Sequence, residues 1–175
     1  QVAILSDRDI VSIVPNTSAE LLREAPGIRI QRSQGGGGSP VIRGFEANRI
    51  LLVVDGVRMN NAIYRSGHLH NAISIDPFSL SRAEVVYGPS SVGYGSDALG
   101  GVVHYFTKEP RVGDAQPWRF FIANSYDTRH EHSINHVDIT HSNDKWASLT
   151  SASYSIFGDI SVSYTHLTLP TKRIV

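Results

Sequence analysis

The 175-residue sequence contains no cysteine. That excludes disulfides, thiol nucleophiles and thiolate metal sites. It has no excess of charge of either sign, because 16 basic and 16 acidic side chains cancel. A protein that holds nucleic acid by bulk positive charge shows a clear basic excess, so nucleic acid is not an expected partner. Long apolar runs are also missing. The longest, Ile50 to Val54, falls far short of the roughly 18 residues of a membrane helix. The N-terminus lacks the charged, apolar and small-residue pattern of a signal peptide. The expectation is an unexported protein, a mature form or a fragment. HExxH, GxSxG and paired-carboxylate motifs do not occur, so the sequence proposes no enzyme chemistry.

What is present divides into three zones. Residues 1–110 mix helix and strand signals with glycine-rich punctuation. Residues 111–160 alternate polar and apolar side chains. Residues 161–175 break with both patterns. In the first zone, Val2 to Leu5 is a short apolar run that ends at Asp7-Arg8-Asp9. Residues 16–24 read as a short helix capped by Thr17 or Ser18, with Glu20 in its first turn. Ala25-Pro26-Gly27 stops it. Short strands are expected at Ile28 to Gln31 and Val41 to Phe45, with a loop from Gln34 to Pro40 between them. Ile50 to Val54 is uniformly apolar and reads as a strand buried on both faces. Asp55-Gly56 turns it back onto Val57 to Met59. Asp76-Pro77 reads as a cap followed by proline at the first helical position. Strands are expected at Ala83 to Gly88 and Val102 to Thr107, with a short helix over residues 90–101 between them.

The second zone reads as three antiparallel strands of about ten residues, the length that crosses a bilayer in a β-barrel. Trp118 to Ser125 and Trp146 to Ile156 are two of them, and His136-Val137-Asp138-Ile139-Thr140 is the cleanest alternation. Trp146 and Tyr154 lie on one strand face, roughly 26 Å apart at the usual rise. That matches the spacing of two aromatic girdles. His136, Asp138 and Thr140 read as an inward polar row, with Val137 and Ile139 toward lipid. With a turn over residues 127–131, His130, His132 and His136 are not expected on one face.

Phosphate chemistry fits poorly. The Gly35 to Gly38 run is followed by Ser39-Pro40, not by the GK[ST] of a phosphate loop, and Gly93-Tyr94-Gly95 lacks the third glycine of a dinucleotide fingerprint. A soluble α/β anion- or ligand-binding domain would also need a helix directly after the glycine run, where Pro40 and an apolar strand follow.

The stretches SAELLREAPGI, GGGGSPVIRGF, RILLVVDGVRMNNAIY and IDPFSLSRAEVVYGPSSVGYGSDALGGVVHYFTK resemble the plug domain of TonB-dependent outer-membrane receptors. They cover roughly residues 10–108 in the family's order. The wording of GGGGSPVIRGF and MNNAIYRSGH is most similar to the haem, haemoglobin and iron-carrier receptors. The resemblance implies an α+β plug, a small mixed sheet with short helices, at 1–110. The truncated start of an antiparallel transmembrane β-barrel follows at 111–160. It implies location in the outer membrane of a Gram-negative bacterium, contact with lipid through the complete barrel, and a TonB-type energy-transducing complex as partner. The cargo would be haem or a ferric siderophore, with oligosaccharide, peptide or cobalamin as alternatives. No cofactor is expected, since haem would be cargo.

Within this resemblance, His68 or His70 could ligate haem iron, and Tyr64 and Arg65 could meet an anionic iron carrier. Arg43, Arg82 and Glu84 could pair with charges on the barrel wall. No TonB box stands before Gln1, and about three barrel strands follow where the family has about 22. The chain is therefore expected to be an incomplete receptor that does not transport alone. Residues 161–175 are similar to a translated sequencing adaptor and read as a non-native tail.

Overall fold

A computed structural model describes residues 1–31, 38–45, 49–59, 75–88, 93–95, 98–128 and 131–157. Its main layer is a five-stranded mixed sheet with strand order β1-β6-β7-β4-β5. The strands are β1 (Val2–Ser6), β4 (Ile50–Val54), β5 (Val57–Arg58), β6 (Leu80–Tyr87) and β7 (Gly101–Thr107). β4 and β7 run parallel and the other neighbours antiparallel. A small antiparallel pair, β2 (Ile28–Gln31) and β3 (Ser39–Ile42), lies beside this sheet in the chain. Three long antiparallel strands follow in the order β10-β9-β8: β8 (Trp118–Asp127), β9 (His132–Ser142) and β10 (Ala147–Ile156). Among the described residues no helix is long and apolar enough to cross a membrane.

β4 is buried on both faces. Ile50 and Leu52 join the larger core with Leu21, Leu22, Phe78, Val85 and Tyr105, while Leu51 and Val53 pack on the other side with Val86, Ala98 and Val102. Successive side chains of a strand point to opposite faces, so only an unbroken apolar run can occupy a central strand covered on both sides. Asp55 and Gly56 both take positive φ, 47° and 84°, the geometry of the type I′ turn that closes β4 onto β5. Gly101 opens β7 at φ 147°, where an added Cβ would lie 2.9 Å from the Val86 carbonyl oxygen. Tyr105 is fully enclosed and gives its hydroxyl to the Ser18 carbonyl at 3.2 Å, and its burial pushes the phenol well above the ordinary range.

Local signals placed several elements. Thr17 caps helix α2 (Ser18–Leu21), its hydroxyl accepting from the Glu20 N–H at 3.1 Å. Asp76 caps a 3-10 turn at Pro77–Ser79, accepting from the Phe78 N–H at 2.9 Å.

The structure corrects four readings. Asp7–Ile13 is a helix, α1, rather than the end of an apolar run, and Ser6 and Asp9 form its capping box. Hydrogen bonds from Ser6 hold the Asp9 carboxyl below its usual range. β3 starts at Ser39 and stops at Ile42. Arg43 and Gly44, with φ of 50° and 86°, then turn Phe45 back to exchange two hydrogen bonds of 2.9 Å with Ile42. β6 begins three residues early, at Leu80. In the expected helix over residues 90–101, positions 90–92 and 96–97 lie outside the described residues, Gly93 and Tyr94 have 3-10 geometry, and Gly101 belongs to β7. Residues 161–175 also lie outside the description.

Truncating Leu52, fully buried in β4, to alanine is expected to cost about 3 kcal/mol of unfolding free energy. Truncating the exposed Val57 should change it by less than about 0.5 kcal/mol. Urea titration of the two variants checks the contrast.

Candidate functional site

Tyr64, Arg65, His68 and His70 fall in residues 60–74, outside the described residues. Arg43, Arg82 and Glu84 are described, and each has a neighbour within the five-stranded layer. Arg82 Nε lies 2.7 Å from Glu84 Oε1, and its guanidinium sits 3.7 Å above the Phe106 ring. Arg43 donates to the Gln1 side chain at 3.0 Å and lies over Tyr87.

The polar contacts that join the mixed sheet to the long strands lie elsewhere. His136 in β9 is completely buried. Its Nδ1 lies 2.8 Å from Asp76 Oδ2, and its Nε2 lies 2.7 Å from Asp138 Oδ1. Asp138, also buried, accepts from Lys108 Nζ at 2.9 Å. The same ammonium stands 4.0 Å from Asp7 at the start of α1 and 4.6 Å from the centre of the Phe121 ring. Phe78 and Phe121 flank the imidazole, with ring centres 5.3 and 5.9 Å away. Ser153 in β10 adds its hydroxyl, 2.6 Å from His136 Nδ1 and bonded to Asp76 Oδ2. Beside Lys108 opens a cleft of about 660 Å³ whose charged lining includes Asp7, Arg111, Asp114, Arg119 and Asp138.

Serine, histidine and aspartate thus meet in one cluster, but not as a hydrolase arranges them. A second carboxylate, Asp76, holds the serine hydroxyl that a catalytic base would have to deprotonate. The two carboxylates also sit on opposite edges of the ring, so they cannot share one cation with it. Among the described residues no group of three ligands suits a metal ion.

The inward row of β9 was legible from its alternation, and His136 and Asp138 point in while Val137 and Ile139 are exposed. Of the three histidines not expected on one face, two are described. β9 begins at His132, so His132 and His136, four residues apart, are both buried on one face, while His130 lies outside the description. Asp76 had been read only as a cap, and Lys108 had carried no signal.

The opposite face of β8 and β9 carries an exposed apolar band. Phe120 and Ile122, the latter 72% exposed, stand beside Ile139 and Val137 in register. Trp118, His141 and Trp146 stack at one end of this band, with ring centres 4.1 and 4.8 Å apart. Exposed Tyr126 and Tyr154 mark the other end. Each Trp-to-Tyr span is eight residues, about 26 Å at the usual rise. A face that is apolar in the middle and aromatic at both ends suits a lipid-facing wall, whose apolar band is about 25 Å tall.

Comparison with known proteins agrees with both halves of this geometry. The family model for the TonB-dependent receptor plug domain matches residues 1–102. The chain belongs to this family. Its plug is 36% identical over 106 residues to the vitamin B12 transporter BtuB of Vibrio vulnificus, covering 59% of this chain and 17% of that protein. It is 41% identical over 92 residues to a hemin receptor of Yersinia pestis, covering 52% of this chain and 13% of that protein. A variant of the ferric enterobactin receptor of Pseudomonas aeruginosa, solved with enterobactin, shares the fold. That match has a TM-score of 0.70 at 20% identity, over 88% of this chain and 24% of that one. The chain spans less than a quarter of the length of these relatives.

One plug residue gives the domain a defined acid response. His104 Nε2 accepts the Gly56 N–H at 3.2 Å, and its ring stacks 3.9 Å from Phe106. Burial holds this imidazole below its ordinary value, against the opposing pull of Glu84 and Asp55. Its contribution to plug stability is therefore complete above the unfolded value of 6.5. It is lost as pH falls from there through the lower folded value, because the unfolded chain takes up the proton first. Urea midpoints at about pH 7.5 and about pH 5 should drop less in His104→Gln than in the unsubstituted chain. An equal drop would mean that other groups carry the acid response.

Proposed function

We propose that the chain is the plug (1–110) and the first barrel strands (111–160) of an energy-coupled outer-membrane receptor, and that residues 161–175 are not part of it. The cargo is haem or a ferric siderophore. The observation that carries this choice is the 41% identity to a hemin receptor, together with the histidine-containing segment of residues 64–70. In this reading His68 or His70 meets haem iron, and Tyr64 and Arg65 meet an anionic carrier. Arg43, Arg82 and Glu84 face wall charges contributed by further barrel strands. The partner is a TonB-type complex, since a passive plug has no energy source of its own to move against its docked position. Supporting the reading, the strand β3 follows directly on the glycine-rich segment, where an anion-binding domain would need a helix N-terminus.

A second cargo, cobalamin, is favoured by the 36% identity to a vitamin B12 transporter over a longer stretch. The two cargoes separate in one experiment. Residues 1–110 replace the matching segment of the Yersinia hemin receptor and, separately, of the Vibrio B12 transporter, in hosts lacking their own receptors. The hemin chimera is expected to restore growth on haem as sole iron source, and to lose it when the energy transducer is deleted. His68→Ala combined with His70→Ala should lower haem uptake about tenfold or more without lowering the amount of receptor in the outer membrane. Growth restored only by the cobalamin chimera would transfer the assignment to that cargo. Two inserted but inactive chimeras would overturn the receptor reading.

A further inference from the structure

The inward row of β9 reads His132, Ile134, His136, Asp138, Thr140. β9 pairs with β8 and β10 and meets the plug with its face, so its alternation fixes which side chains look inward but not how far the strand slides along the plug. A two-residue slip keeps every inward residue inward, and alternation cannot prevent it. Phe78 and Phe121 also meet across this junction, with ring centres 6.3 Å apart. The polar contacts are specific to one position. A two-residue slip would place Ile134 or Asp138 opposite Asp76, leaving that carboxylate against an apolar group or against a second carboxylate. Lys108 would lose Asp138 in the same movement.

We propose that Asp76, His136, Asp138 and Lys108 are positioning residues that set the register of the barrel wall against the plug. Asp76 fixes the start of β6, and Lys108 fixes the end of β7. These are neighbouring points, since Leu80 pairs with Thr107. Both are tied to two residues of a single barrel strand, and Ser153 ties in the next one. Three points on two surfaces determine an orientation as well as a contact. In this cluster a shifted arrangement would leave buried Asp138 without Lys108, and removing one partner of a buried pair is strongly destabilising. The inference rests on reading residues 118–156 as barrel wall.

The absence of cysteine makes a clean test possible. Nitroxide labels are placed on Val57→Cys in β5 and Ile122→Cys in β8, both exposed and outside the cluster. Their separation is measured by pulsed electron resonance in the whole chain in detergent micelles. The unsubstituted background is expected to give one narrow distance. Asp76→Asn and His136→Gln should each add a second population, displaced on the scale of a two-residue step of about 7 Å. The double variant should look like the worse single. Arg23→Gln, which breaks the exposed pair with Glu20 away from the junction, should leave one narrow distance. Asparagine still caps the Phe78 N–H, so Asp76→Asn carries the test even if His136→Gln does not fold. One unchanged distance in folded Asp76→Asn, or equal broadening in Arg23→Gln, would overturn the proposal. Cargo uptake is not read here, so inactive chimeras would overturn the receptor function and leave this result standing.

Discussion

An imidazole with no solvent contact, held between two carboxylates, is the constraint on which the two halves of this chain depend. Removing one partner of a buried polar pair is costly, so buried His136 and Asp138 depend on Asp76 and Lys108 across the junction. The mixed sheet supplies Asp76 and Lys108, while the long strands supply His136 and Asp138. Neither half can therefore seal its own surface. Phe78 and Phe121 flank the imidazole, while Asp76 and Lys108 at the edges of the cluster stay partly exposed.

The long strands turn the usual arrangement of a soluble protein inside out. The polar row of β9 faces protein, and the outward rows of β8 and β9 are apolar at their centre between two aromatic ends. A soluble sheet with Phe120, Ile122, Val137 and Ile139 bare on one face would be an association hazard. On a lipid-facing wall the same face is the one the solvent prefers. The plug, by contrast, is built like an ordinary small domain, with β4 as its central buried strand and capped turns feeding β6 and α2.

Much of the plug was legible one residue at a time. Unbroken apolarity placed β4, Asp55-Gly56 placed the turn after it, and Thr17 and Asp76 announced their caps, because each signal acts within four residues of itself. Helix α1 was readable in the same way from Ser6 and Asp9, although the apolar run before it masked that cap. Arg43 shows the limit of local reading. Its positive φ belongs to a turn that a glycine neighbour makes possible, and its side chain goes to Gln1.

The alternation of β8 to β10 and the caps of the plug follow from the sequence by itself, because periodicity and hydrogen bonding to near neighbours need no third dimension. Which face of β9 meets the plug was likewise set by that alternation. Which residues meet across the junction was decided only by the tertiary structure. Asp76 and His136 are 60 positions apart, and Lys108 reaches Asp138 across the boundary between two architectures. No spacing rule links such residues. Their pairing follows from the docking of two surfaces, and a buried charge has no local signature until the partner that neutralises it has arrived.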